Sequence, residues 1–307
     1  MTRLLRAELR RMFARRLVRA TLALCIVGIV VGGVIAFTTS HSIPSSTYAH
    51  RLHAATLARH AQNEHARECL AAHGVSAKGE IPDPVARVCL PDRPITVHDP
   101  RFDAYRMKGI LQGSAGVLAI LGWALGASLV GAEFASRSMT TMLTWETRRL
   151  RLLSAKALTL LGSILVLGLG LLSLVGLAMV PAIVAHGAPA HAGDPTFATY
   201  AGIVWRGALL STMAAGMGFA IAALGRNTAA ALGVGFAYII VLENIVGSSL
   251  RSWRRWLLLG NAIVMVSGQN GGDIPGRSVI GAGVFLGAVA LTLLLGAATA
   301  FRLRDLA

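Results

Sequence analysis

Residues 157–184 read ALTLLGSILVLGLGLLSLVGLAMVPAIV and contain no charged side chain. About 20 apolar residues of helix are enough to cross a hydrocarbon core of about 30 Å. Lipid offers backbone amides no water to bond, so a single crossing segment has to close its hydrogen bonds internally, as a helix does. The stretch therefore reads as a transmembrane helix. Five further runs of comparable length lie at 21–39, 110–131, 201–224, 228–247 and 279–301, and the second and last of these are also free of charge. The expected fold is an all-α membrane protein with six transmembrane helices.

The composition agrees. The chain is 54% hydrophobic and only 14% charged, whereas a soluble domain carries about a quarter of its residues charged. Its 34 glycines suit helices that approach closely in lipid. The net charge of +15 would suggest nucleic acid in a soluble protein. Here the arginines flank the apolar runs, where they set orientation and meet anionic lipid headgroups. No nucleic-acid partner is expected.

Orientation follows from where the cations fall. With the N-terminus in the cytoplasm, fifteen lie on inside segments: Arg3, Arg6, Arg10, Arg11, Arg15, Arg16, Arg19, Arg137, Arg148, Arg149, Arg151, Lys156, Arg226, Arg302 and Arg304. The short outside segments hold five, Arg206, Arg251, Arg254, Arg255 and Arg277. The first outside loop, 40–109, is too long to count in this rule. Both termini are expected inside, with a tail at 302–307. The first run lacks a small-x-small cleavage site, so it reads as a retained span and not as a signal peptide.

Residues 1–20 form more than a charge tag. Leu5, Leu9, Met12, Phe13 and Leu17 recur at helical steps, with arginines over much of the remaining surface. This pattern predicts an amphipathic helix lying in the inner headgroup layer. In the 40–109 loop, residues 46–73 read as a helix, with Ser45, Ser46 and Thr47 as start signals and Gly74 as a stop. Pro82, Pro84, Pro91, Pro94 and Pro100 follow and favour an irregular path. Cys69 and Cys89 share this loop. In an oxidising compartment they are expected to form a disulfide. Seven of the nine histidines are here too, but no metal-ligand spacing accompanies them, and no metal site is expected.

No catalytic pattern emerges. A P-loop and a Gly-x-Ser-x-Gly elbow are both missing, so the chain reads as a non-enzyme with no cofactor of its own. Glu243, beside Asn244, is the acidic residue placed well within a span, and an intramembrane carboxylate is a candidate functional group. The readings open for it are a working site, a water-facing position, or a cap on Asn244 and nearby arginines.

The inside segment 132–156 carries the sharpest signal. Glu133 and Arg137 stand four apart in the favourable helical order. Met139, Met142 and Leu143 make an apolar stripe with Trp145 near it, and Arg148, Arg149 and Lys156 follow. The pattern is that of a short amphipathic helix able to dock a soluble partner.

Three features together resemble the ABC-2 type permeases, the transmembrane subunits of bacterial ABC transporters, in an actinobacterial-type branch. They are Glu8-Leu9-Arg10-Arg11 in the basic head, Gly131-Ala132-Glu133-Phe134 with the Met142-Leu143-Thr144-Trp145 and Arg148-Arg149 that follow, and the closing Phe301-Arg302-Leu303-Arg304-Asp305. The resemblance implies a multi-pass protein of the bacterial cytoplasmic membrane, acting as a homodimer or with a sister permease. Two separate ATPase subunits would bind ATP and magnesium. It makes residues 1–20 a connecting helix and Glu133, Arg137, Met139, Met142, Leu143 and Trp145 a coupling element to the ATPase. It makes 248–278 a short re-entrant segment, matching the apolar pieces Trp256–Leu259 and Ile263–Val266, which are too short to span. The large first outside loop departs from compact family members. The segment 185–200 is a second, shorter outside loop.

Two functions follow. One is the permease of an ATP-driven exporter, with a hydrophobic or amphiphilic substrate passing along a dimer interface walled by the second and fifth spans. The other is a non-transporting sensor or assembly scaffold that works through its outside loop.

Overall fold

The computed structural model describes residues 2–73, 85, 88–89, 99–136, 149–189, 193–246, 251–270, 274 and 276–303. Arg137, Met139, Met142, Leu143 and Trp145 lie outside them, as do Gly74 and the final residues of the tail. Among the described residues the fold is helical, with no strand and one isolated bridge, Phe102 to Gly187. Six helical segments are long and apolar enough to cross a membrane.

The chain forms two compact units. The first comprises Met1–Ile35, Ala104–Pro181 and Ala190–Ala307. It opens with α1 (Thr2–Ala14), which breaks at Arg15 and gives way to α2 (Arg16–Thr39). Then come α4 (Ala104–Ala135) and α5 (Arg149–Ala178), after α3, which belongs to the second unit. Pro181 has no amide for the Leu177 carbonyl, and the helix interrupts at Met179 before resuming as α6 (Val180–His186). The spans α7 (Phe197–Gly225) and α8 (Thr228–Ala237) meet at a tight turn. Arg226 closes α7 in the left-handed region at φ 52°, and the Asn227 side chain accepts from the Ala229 amide at 2.8 Å to cap α8. Beyond α8 the helix widens to a π-helix over Tyr238–Val246. A 3-10 turn (Arg251–Trp256), the short α9 (Leu258–Ser267) and the last span α10 (Val279–Leu303) complete the unit.

The centre of this unit is α7. Of its apolar window 61% is buried, against 6% for α2 and for the 228–245 span. The sequence explains the difference. Gly122 and Gly126 on α4 face Ser211 and Ala215 on α7, and a Cβ at Gly122 would come within 2.6 Å of the Ser211 carbonyl. Small residues four apart let two backbones touch, and dispersion replaces the hydrophobic drive that lipid removes. Side chains of Leu160, Ile164 and Phe219 fill one end of the core, and Leu111, Leu172 and Leu286 the other.

The second unit holds Ala36–Asp103 and Ala182–Pro189. Its long helix α3 (Ser45–Ala72) starts one residue before the expected 46, and its N-cap is Pro44 with no side-chain cap. The predicted disulfide is present: Cys69 and Cys89 are bonded, with Cα atoms 5.4 Å apart. A second fastening is polar. Arg101 is buried, forms a two-pronged ion pair with Asp99 (3.0 and 2.8 Å) and lies 4.4 Å over the Tyr48 ring. The hydrogen bond to Asp99 pushes the Arg101 pKa above the ordinary arginine value. Backbone bonds from Phe102 to His186 (2.9 Å) and from Ala188 to Phe102 (3.0 Å) tie the two pieces of this unit together.

Candidate functional site

Glu133 stands in the last turn of α4, where a carboxylate opposes the partial negative charge of a helix C-terminus. Local helix electrostatics therefore disfavours it, and its environment has to supply the compensation. That environment is a buried charge cluster built from three elements. Lys156, two turns into α5, is fully buried, and its Nζ donates to Glu8 Oε2 at 2.9 Å and to Glu133 Oε1 at 3.2 Å. The same Nζ lies 3.0 Å from Glu133 Oε2 as an ion pair without hydrogen-bond alignment. Arg15, at the break between α1 and α2, donates to Glu133 Oε1 at 2.6 Å and to the α4 carbonyl of Leu129 at 3.1 Å. Glu8 is 5% exposed and Glu133 4%. At the rim Arg11 reaches Glu8 Oε1 at 3.3 Å.

Two carboxylates and two inner cations make the cluster formally neutral. Burying such groups is affordable only when each charge is paired and hydrogen-bonded. The arrangement fits the helix periods. Glu8, Met12 and Arg15 follow at steps of four and three and form the face of the N-terminal segment turned to the bundle, while Leu9 and Leu17 stay exposed. On α5 the buried stripe runs Leu152, Lys156, Leu160 and Ile164, so Lys156 replaces an apolar residue in the core row. The cluster ties α1, the end of α4 and the start of α5 into one body.

Of the sequence-predicted coupling residues, Glu133 is therefore at a built site, held by Arg15 and Lys156. Its proposed partner Arg137 and the apolar anchors Met139, Met142, Leu143 and Trp145 lie outside the described residues. Sequence reasoning missed the parts played by Glu8, Arg15 and Lys156. A lone lysine at the centre of a four-residue leucine period was the available signal.

The predicted polar pair at the opposite end has a structural role. Glu243 Oε1 accepts from the Leu259 amide at 2.6 Å, and Tyr238 Oη accepts from the Leu258 amide at 2.8 Å. Together they cap the first turn of α9, whose free amides favour an anion. Asn244 donates to its own helix at Ile239, 2.9 Å away. Sequence reading also passed over Asn261. Its fully buried side chain donates to the carbonyls of Arg255 (3.0 Å) and Leu257 (2.6 Å) and accepts from Arg277 Nε (2.8 Å). This one amide binds the 3-10 turn, α9 and the lead-in to α10.

Two small cavities lie between α2, α4, α5 and α7, one of about 30 Å³ edged by Thr21, Cys25, Gly122 and Ser211, the other of about 10 Å³ beside Met12 and Arg15. Pockets for drug-sized ligands run from about 300 Å³, so these gaps hold no amphiphile. In the second unit His73 Nδ1 sits 3.7 Å from Cys89 Sγ. With the two cysteines bonded to each other, their sulfurs offer no thiolate to a metal. Compared with known proteins, the chain matches no family model, no curated protein and no solved structure, so the function of this site rests on the chemistry of its own residues.

Proposed function

We propose that the chain is the transmembrane permease subunit of an ATP-driven exporter, and that the charge cluster is its mechanical link to separate ATPase subunits. One observation carries the reading: Lys156 is completely buried between Glu8 and Glu133, joining the N-terminal helix to the end of α4 and the start of α5. A lipid-facing bundle gains little stability from such a cluster, because an apolar replacement of the same volume is often as good. It gains a defined spatial relation between three elements at the membrane face. That is what a subunit needs if force applied to one short loop is to move two spans together.

In this reading α1 lies along the inner headgroups, 137–148 docks on the ATPase through Met142, Leu143 and Trp145, and both termini are cytoplasmic. ATP binding draws two ATPases together, and the cluster transmits the displacement to α4 and α5 as a unit. The substrate path runs between two permease copies, which agrees with the two gaps beside α2, α4 and α5 being too small for an amphiphile. The segment 251–268 forms the outer re-entrant piece. The scaffold reading is favoured by one observation, the separately fastened, disulfide-bonded second unit. The test is gentle extraction of the tagged chain followed by identification of what co-purifies. The permease reading requires an ATPase in stoichiometric amount. Its absence, with other partners held through residues 40–109, selects the scaffold.

A further inference from the structure

Arg206 sits in α7, nine residues from its start at Phe197. At 1.5 Å per residue that is about 14 Å along the helix. A helix of 29 residues spans about 43 Å and overhangs a hydrocarbon core of about 30 Å by about 7 Å at each end. With α7 centred on that core, Arg206 would be rooted about 7 Å inside the apolar layer. The arginine distribution assigns this end of α7 to the outside.

A cation at that depth ordinarily finds a carboxylate or extends freely into the headgroups. Arg206 is only partly exposed and meets no carboxylate among the described residues. No acceptor among the described residues bonds its guanidinium, and its Nε is buried without a partner. The group is held in a slot between two glycines. It runs back over Gly202, one turn toward the helix start, where a Cβ would meet Nη1 at 3.1 Å. On its other side lies Gly268, at φ +71° where α9 ends, and a Cβ there would overlap Nη2. Two elements therefore leave out side chains where the guanidinium lies. A cation positioned this closely, with no counter-charge among the described residues, points to a binding group whose ligand is an anion.

We propose that Arg206 is the core of an oxyanion site between α7 and the end of α9, taking a phosphate-type head. The two Nη groups of an arginine suit phosphate or carboxylate in a forked arrangement. The depth of the slot favours an oxyanion carried on an acyl chain over one arriving from water. The site needs the chain to span a membrane and is independent of the exporter reading.

The test is native mass spectrometry of the full-length protein in neutral detergent, titrated with phosphatidylglycerol in one arm and inorganic phosphate in the other. Wild type is expected to hold one phosphatidylglycerol per chain with roughly tenfold or greater preference over Arg206→Gln, the scale of hydrogen bonds to a charged group. Gly202→Ala keeps the charge and the helix and only narrows the slot, so it should weaken binding in the same direction. Lipid held by the basic N-terminal helix is common to all variants and cancels. Arg206-dependent binding of phosphate alone keeps the site and assigns it to a free oxyanion. Equal binding of both probes by wild type and Arg206→Gln overturns the proposal. If Arg206→Gln does not purify as a folded protein, unchanged affinity in Gly202→Ala overturns it.

Discussion

Lys156 and Glu133 are the residues on which the reading turns, and they make a quantitative prediction. Removing one partner of a buried ion pair leaves an uncompensated charge, at a cost of about 3–5 kcal/mol. Lys156→Met leaves Glu8 to the rim Arg11 and Glu133 to Arg15, and is expected to lower the thermal unfolding midpoint in detergent. The double variant Lys156→Met, Glu133→Gln should recover part of the loss, because Glu8 retains Arg11 and Arg15 shares its bonds with the α4 carbonyls. A double-mutant cycle with a coupling energy within about 0.3 kcal/mol of zero would show that the pair is not a unit. At this scale the sequence was only half legible. Glu133 stood out through its spacing to Arg137. Lys156 was counted among loop cations, although its leucine neighbours at 152 and 160 placed it on a core row. Hydropathy averages over a window and treats a single charge as a boundary, whereas burial depends on which partner another helix brings.

Among the elements, the six long apolar helices were legible in the sequence and their ends less so: the run 110–131 is the helix Ala104–Ala135, and 157–184 is divided between Arg149–Ala178 and Val180–His186. The run 279–301 is the helix Val279–Leu303, and 201–224 is Phe197–Gly225. Continuous apolar character without charge leaves the chain no other structure in lipid. The fifth span was expected as a plain helix, but it changes to a π-helix at Tyr238. Within the π-helix, Glu243 and Tyr238 accept from α9 amides 16 and 20 residues away, contacts that no local pattern encodes. The close packing of α4 on α7 is testable. Gly126→Val would force a side chain against the backbone of Ala215 and is expected to cost about 1–3 kcal/mol, as overpacking does. Gly116→Val, on the same helix with open space around it, should cost far less. Equal unfolding midpoints for the two variants would mean that the α4–α7 contact is not tight.

For the whole molecule, composition alone predicted a membrane protein, and the two compact units are held together by different means. The lipid-facing unit relies on small residues and internal hydrogen bonds. The second unit uses a disulfide and a buried arginine because it has little apolar area to bury. Closing a loop across 20 residues contributes on the order of 3 kcal/mol. Reduction should therefore open residues 45–103 to limited proteolysis while the six spans resist. Protection that persists after complete reduction would assign the stability to Arg101 and its partners instead. The apolar stripe of 137–148 was read from sequence periodicity, and that periodicity did not reveal the charge cluster of Glu8, Arg15, Glu133 and Lys156.

The decisive measurement is ATP hydrolysis by the complex isolated through this chain, comparing wild type with Glu133→Gln and Trp145→Ala. On the permease reading, Trp145→Ala would remove a docking anchor worth about 1–3 kcal/mol, and Glu133→Gln would loosen the link to the ATPase. The expected result is a co-purifying ATPase whose hydrolysis falls in both variants, with Trp145→Ala also losing the ATPase on washing and all six spans still inserted. Wild-type rates in both variants, or no ATPase bound to the wild-type chain, would contradict the permease assignment.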